Sequence, residues 1–384
     1  MMGTRMKRSA GAGILVLIGA AVIIWAASPQ PEENLSDFLK GKVHYLDKND
    51  LSLAKKIKLA ETEFKKSKAG DAYFTGYVFL TSQEIHMGEI ETRMGKTWKS
   101  SIPFRVTGDE TGIKVHRKYR SNITSQSLDS EKGREPVGLL LLHRISKGKG
   151  EIQDARMIDL DQTFEFEELP VYWLGEAGNE ESFRFLESEF EAGDLSLQKT
   201  LLSVICSHDD PKAHDLLHRI VFGSYAREVR KNAIFWLGNI KDAKSLGYLK
   251  EIIKKENNTE LRKQTVFAIQ LSNEKEAMTE LIQIAKTDTN QKIRKNAIFW
   301  LGQKASKECV KTLKDVVQGD EDVELKNHAV FAISQLPKDQ SVPMLIDIAK
   351  TNKSPEVKKK AIFWLGQTGD ERALKFFEEI LLKK

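Results

Sequence analysis

The chain is 384 residues long, with 60 Lys and Arg against 55 Asp and Glu, a net charge of +5, and 30% charged and 40% hydrophobic residues. This is the composition of an ordinary soluble body, long enough for two domains or for one small domain and an array. A charge excess this small over this length gives no ground for a nucleic-acid partner, and none is expected.

The N-terminus carries Arg5, Lys7 and Arg8, and an apolar run from Ala10 to Ala27 follows. Beyond it stand Pro29 and the acidic Glu32, Glu33 and Asp37. The run just reaches spanning length and exceeds a usual signal-peptide core. Basic residues before it and acidic ones after it predict a cytoplasmic N-terminus and a body across the membrane. We therefore expect residues 1–9 as a basic tail and 10–27 as a single-pass inner-membrane anchor, with the rest periplasmic. Ala26-Ala27-Ser28 offers the small residues of a cleavage site, with Pro29 awkwardly behind it, so secretion after signal cleavage is the alternative.

Residues 28–50 read as a polar linker. Leu53, Ile57, Ala60 and Phe64 then recur at helical spacing, which predicts one amphipathic helix over about 50–67. From Tyr73 the texture changes to short β-branched or aromatic runs divided by Gly, Asp and Ser: YFTGYVFLTS, IPFRVTG, GIKVHRKYRS, VGLLLLHRIS and EIQDARMIDLD. These predict a small, mostly antiparallel sheet, and residues 51–165 are expected to form one small α+β domain.

From residue 166 to 384 the pattern is helical and repetitive. VRKNAIFWLG (Val229–Gly238), IRKNAIFWLG (Ile293–Gly302) and VKKKAIFWLG (Val357–Gly366) are nearly identical. LRKQTVFAIQ (Leu261–Gln270) and LKNHAVFAIS (Leu325–Ser334) alternate with them. LQKTLLSVIC (Leu197–Cys206) and the imperfect PVYWLG (Pro170–Gly175) come earlier. The residue before the aromatic run is Pro170, Leu201, Ala233, Thr265, Ala297, Ala329 and Ala361, a first gap of 31 followed by a constant 32. A fixed period in this range predicts a mainly α solenoid of about seven helix pairs, each burying its apolar face against its neighbours. Cys206 and Cys309 would then lie three units apart, far beyond the roughly 4.4–6.8 Å of a disulfide.

The segment resembles the short HEAT-like repeats of bacterial proteins, the type also found in phycobilisome lyases. The matching features are the aliphatic–Arg/Lys opening (Val229-Arg230, Leu261-Arg262, Ile293-Arg294, Leu325-Lys326, Val357-Lys358), the small residue that follows, the Leu/Ile-Gly ending and the turn Thr368–Leu374. The resemblance implies that the repeated helix lines the concave side and that the Arg/Lys of the opening bonds between units. It also implies polar residues at the outward positions. Here those positions depart from the pattern. On a helical wheel Val229, Ala233, Trp236 and Leu237 form the core stripe, with Ile234 on its margin. Opposite them stand an aromatic ladder, Tyr172, Phe235, Phe267, Phe299, Phe331 and Phe363, and a lysine ladder, Lys231, Lys263, Lys295 and Lys359, with Asn327 in its fourth place. Phe rings at that position either pack on one another along a curved stack or form an apolar stripe for a partner.

Trp173, Trp236, Trp300 and Trp364 alternate with Val204, Ala268 and Ala332 at one position, so the structural unit spans two repeats. Large against small along a stack is what interdigitation requires.

Catalytic signals are poor. His214 and His218 share a helix face at i, i+4 and are a weak metal candidate, without the Glu of an H-E-x-x-H motif. None of the eight histidines is followed by Glu, as metalloenzymes of the deoxyhypusine hydroxylase type would require. Gly95-Lys96-Thr97 lacks the first glycine of a phosphate loop. No cofactor is expected. The last helix, over 370–383, ends in ALKFFEEILLKK; Lys383 and Lys384 either cap it, or it docks on a further body such as a second copy. The expected function is a non-catalytic extracytoplasmic scaffold that binds a protein segment along the concave Phe/Lys face. A lyase-like enzyme using the groove and a binder of an anionic envelope polymer are the alternatives.

Overall fold

The computed structural model describes residues 39–48, 50–81, 113–116, 135–158, 160, 163–208, 210–272, 275–304, 306–319 and 322–382. The expected anchor, the Gly95-Lys96-Thr97 segment and the predicted strand IPFRVTG lie outside them. No helix among the described residues is long and apolar enough to cross a membrane.

A mixed sheet comes first. Its strands are β1 (Leu39–Tyr45), β2 (Ala72–Thr81), β3 (Ile113–His116), β4 (Glu135–Ser146), β5 (Lys149–Ile158) and β6 (Thr163–Glu176), with helix α1 (Leu53–Ser67) between β1 and β2. The order is β1-β6-β2-β4-β5, and β3 pairs with the first half of β6. β2, β4 and β5 form antiparallel pairs, as the alternating runs imply, but β6 lies parallel to both β1 and β2. With β3 antiparallel to β6 as well, three of the five pairings among the described residues are antiparallel, so the sheet is mixed with antiparallel pairing in the majority, as expected. β1 falls inside the segment read as linker, where LKGKVHY is too polar on its exposed residues to stand out.

β6 corrects two further expectations. It runs past residue 165, and the supposed first repeat, Pro170–Gly175, is its buried second half. Tyr172 and Leu174 face one apolar cluster while Val171 and Trp173 face the other, the period-two alternation of a strand buried on both sides. Tyr172 therefore belongs to the sheet and leaves the aromatic ladder. A run as short as VYWLG fits a buried strand and a buried helix equally well, and its neighbours decide.

The array begins at residue 179. Its helices are α2 (Asn179–Ala192), α3 (Leu195–Cys206), α4 (Lys212–Phe222), α5 (Arg227–Ile240), α6 (Ala243–Lys255), α7 (Thr259–Leu271), α8 (Lys275–Thr287), α9 (Gln291–Lys304), α10 (Lys307–Gly319), α11 (Val323–Ser334), α12 (Lys338–Thr351), α13 (Pro355–Thr368) and α14 (Glu371–Leu382). The repeated sequence occupies α3, α5, α7, α9, α11 and α13, which with α4, α6, α8, α10, α12 and α14 make six pairs behind α2. The starts of these helices are written in the sequence: Asp194, Asn258, Asp322 and Ser354 cap α3, α7, α11 and α13 with side-chain oxygens that accept from the first-turn amides.

The two rows of the array are held differently. Each repeated helix lies along the next, whereas the alternate helices meet their like neighbours over only a few residues. A stack with one row tighter than the other curves toward the tight row, so the repeated helices line the inner, concave side. The wider outer row is bridged by ion pairs about one repeat apart: Lys212–Glu180 at 2.8 Å, Lys250–Glu276 at 3.0 Å, Lys286–Asp315 at 3.0 Å and Lys350–Glu379 at 3.0 Å.

One apolar core runs from the α1 face of the sheet through the array to Phe376. The joint between sheet and array is polar as well. Tyr77 and Ser182 hydroxyls are 2.8 Å apart, Ser182 Oγ lies 2.7 Å from His208 Nε2, and His208 Nδ1 lies 2.8 Å from the Val204 carbonyl oxygen. Asn179 clamps the same joint: its Nδ2 donates to the carbonyls of Leu80 at 2.7 Å and His208 at 3.1 Å. All three side chains of the chain Tyr77–Ser182–His208 are buried, and His208 stacks on Phe79 at 4.0 Å. This Ser–His contact is therefore a structural one, sealed from any substrate.

Candidate functional site

The core stripe of the repeated helix follows the wheel. Val229, Ala233, Leu237 and their equivalents 32 and 64 residues on are fully buried. Ile234, placed on the margin, is equally buried because the next helix covers it. Trp236, Trp300 and Trp364, placed in the core, are only half-buried. Their direction is the edge of the stripe that opens toward the inner surface, and the indoles lie across it rather than beneath it.

The reason is the alternation. In α5 and α9 the residue two after Trp is Gly, and a Cβ on Gly238 would stand 2.6 Å from the Ala268 carbonyl oxygen. On Gly302 it would stand 2.9 Å from the Ala332 oxygen. Gly and Ala thus let α5 meet α7, and α9 meet α11, backbone to backbone. The interfaces between, α7 with α9 and α11 with α13, are spaced by the Trp that the later helix brings. Trp300 lies 5.0 Å from Phe267 and Trp364 lies 5.2 Å from Phe331, ring centre to ring centre.

The Phe ladder is built on these tryptophans. Phe235 stacks on Phe267 at 6.4 Å, Phe299 meets Trp300 edge-on at 5.0 Å, and Phe363 meets Trp364 edge-on at 5.1 Å. Phe235, Phe267, Phe299 and Phe331 are each half-buried by their ring neighbours, and Phe363 is 52% exposed. Each Phe thus packs against a neighbouring ring, stacked, tilted or edge-on, and keeps part of its surface exposed.

The lysine ladder flanks it. Lys231 pairs with Glu228 at 3.4 Å and Lys263 with Glu260 at 3.0 Å, both within their own helices, while Lys295 pairs with Glu324 of the next inner helix. Lys359 is exposed, and Lys360 beside it stands 5.4 Å from the Phe363 ring centre and 5.7 Å from that of Trp364. Lys360 and Asn296, which share one position of the repeated helix, were not singled out in the sequence. Asn296 and Asn327 each hold an enclosed Oδ1, and Trp300 and Trp364 an enclosed Nε1, with no hydrogen-bond partner among the described residues. The signal for Lys360 and Asn296 was their shared direction on the wheel, between the Phe ladder and the Trp ladder, whereas Asn327 holds the fourth place of the lysine ladder.

The arginine ladder turns inward. Arg230 Nε donates to the Val221 carbonyl at 2.6 Å, Arg262 to Ile253 at 3.2 Å and Arg294 to Ala285 at 3.1 Å, in each case closing the end of the preceding outer helix. Arg230 also pairs with Glu256, and Arg262 with Asp288 at 2.5 Å, so the acids come from the following turn and not from the start of the same helix.

His214 and His218 do not converge on a common point. His214 Nε2 lies 2.6 Å from Asp242 and His218 Nε2 lies 3.0 Å from Glu251, each imidazole joining α4 to α6 as one rung of the outer row. Among the described residues no group of three or more His, Cys, Asp and Glu is placed to hold a metal ion. Cys206 and Cys309 are free and buried.

Paired helices stacked at a constant step around one continuous core define an α-solenoid. The HEAT-repeat family model matches residues 183–270, 278–336 and 315–384, together just over half of the sequence, and the chain belongs to the HEAT-repeat proteins. Among curated proteins none matches it. Among solved structures it is similar to the complex of CpcE and CpcF of phycocyanin lyase from Nostoc sp. PCC7120, at 20% identity over 40% of this chain and 99% of that one, with a TM-score of 0.31. It is also similar to human deoxyhypusine hydroxylase in complex with glycerol, at 16% identity over 53% of this chain and 79% of that one, with a TM-score of 0.25. For lipovitellin the identity is 11%, over 60% of this chain and 36% of that one, with a TM-score of 0.36.

Proposed function

We propose that the protein is a non-catalytic scaffold that binds a protein segment along the inner face of the array, held at a membrane by residues 10–27 with its body outside the cytoplasm. The observation that carries the binding reading is the half-exposed aromatic ladder on the tight row of helices, where short polar side chains would satisfy the fold as well. A segment lying in the groove would place apolar side chains on Phe235, Phe267, Phe299, Phe331 and Phe363. Its acidic groups would meet Lys231, Lys263, Lys295 and Lys359. The intrahelical lysine pairs on this face are solvent-exposed and worth less than about 1 kcal/mol each, so an acidic ligand exchanges them at little cost.

Two substitutions test this. Phe299→Glu with Phe363→Glu is expected to abolish co-purification of the native partner from membranes while helical circular dichroism stays as in the wild type and the melting temperature falls by only a few degrees. Partner capture that survives the double substitution refutes the site. Binding that collapses between about 50 and 200 mM salt, with the Phe variants unaffected, would instead mark an anionic polymer held by the lysines.

A further inference from the structure

The last helix pair presents the face that every earlier pair buries. Position 362 belongs to the series Ile234, Val266, Ile298 and Val330; position 380 to Ile252, Ile284, Val316 and Ile348; position 381 to Ile253, Ala285, Val317 and Ala349. All twelve of these residues are at most 8% exposed because the following unit covers them. In α13 and α14 the same positions are Ile362 at 36%, Ile380 at 42% and Leu381 at 78% exposed. Gly366 tells the same story from the backbone. Its equivalents Gly238 and Gly302 are met by Ala268 and Ala332 of the next inner helix, whereas nothing lies within 4 Å of a Cβ built on Gly366. The side chains are thus those of an inter-unit interface, apolar around a small central residue, rather than those of a solvated end.

We infer that this end face is a self-association surface, and that a second copy of the chain covers it by two-fold, end-to-end contact of α13 and α14. Three observations favour a like copy in this arrangement. The opposite end of the array is occupied by the sheet, with α3 against β5 and α2 against β2, so copies cannot add head to tail and only like face can meet like face. The glycine at the centre gives two such faces the flat spot that close helix approach needs. The charges are also complementary across a two-fold axis. On α13 the exposed charge beside this face is Lys359, since Lys358 donates to the Lys350 carbonyl at 3.2 Å and Lys360 lies over the Phe363 ring; on α14 the exposed acids are Glu371 and Glu378, since Glu379 pairs with Lys350. Crossing α13 of one copy over α14 of the other brings the basic helix onto the acidic one. Two helices about 20 Å long and roughly 10 Å across make a small contact, at the low end for a specific interface, so the dimer should dissociate in the range of about 1–100 µM.

The experiment is sedimentation equilibrium on the full-length chain in density-matched detergent, across that concentration range. The expected result is a reversible monomer–dimer equilibrium, shifted at least tenfold toward monomer by Ile362→Glu with Leu381→Glu. Leu381→Glu alone, at a position that touches little in the monomer, is expected to weaken the dimer with an unchanged melting temperature, which guards against a folding artefact. A wild-type protein that stays monomeric at 100 µM overturns the proposal. So does a dimer that both variants leave intact, because association would then run through another surface.

Discussion

Single positions carry more than one duty in this array, and the histidines show it most directly. His208 joins the sheet to the array, and His143 lies within the sheet with Nε2 2.8 Å from Thr75 Oγ1 and its ring stacked on Tyr73. Burial pushes both imidazoles down to about 4, with Asp210 near His208 and Glu61 near His143 only partly opposing it. A histidine whose folded value is depressed takes up its proton more readily when unfolded. Its contribution to stability is therefore complete above about pH 6.5 and is lost as the pH falls from there toward 4. Each is worth up to about 3 kcal/mol over that interval. Urea midpoints should fall steeply between pH 6.5 and 4.5, and His208→Asn should flatten that fall while lowering stability at pH 7.5. A midpoint independent of pH over this range would contradict the assignment. None of this was visible in the sequence, where His208 carries no motif of its own; the fold buries it and sends its neighbours His214 and His218 to separate acids.

At the scale of the helix, the alternating Trp and Gly set how closely neighbours approach. The alternation was legible from the 64-residue recurrence, but its meaning was only half read. The large residue does not fill a pocket beneath the helices; it props two of them apart, while Gly against Ala draws the other two together. Gly238→Ala should therefore destabilise by about 1–3 kcal/mol, since the added methyl meets backbone that cannot swing aside. Gly366→Ala, in the same sequence context with open space around it, should stabilise by about 0.5–1 kcal/mol through helix propensity alone. Denaturant titration of the two variants measures both signs, and equal effects would refute the close-approach argument. Gly302→Ala should follow Gly238→Ala.

Across the whole molecule, stability should be graded along the array. A single core joins the α1 face of the sheet to the solenoid, and the polar clamp of Tyr77, Ser182, His208 and Asn179 secures that joint. The inner helices from α5 to α11 are covered on both sides, whereas α14 buries only Ala373 and Phe376 fully. Hydrogen exchange at monomeric concentration is expected to show α14 opening first, then α13, with α5 to α9 protected nearly to the global unfolding limit. Protection spread evenly over the last four helices would show that the end is covered even in the monomer.

The residues by themselves determined the solenoid, its 32-residue step, the two-repeat period and the buried stripe, because a helix that repeats its apolar spacing can satisfy that spacing only by stacking. They also marked the Phe and Lys ladders as departures from what a solvated face requires. The tertiary structure alone decided where the array begins, since Pro170–Gly175 has the letters of the repeat but pairs with β1 and β2 as a strand. It decided the partners of the arginines, the separate fates of the three histidines and the half-burial of the tryptophans. Each of these depends on what the neighbouring unit brings to within a few ångströms, and a wheel drawn on one helix contains no neighbour.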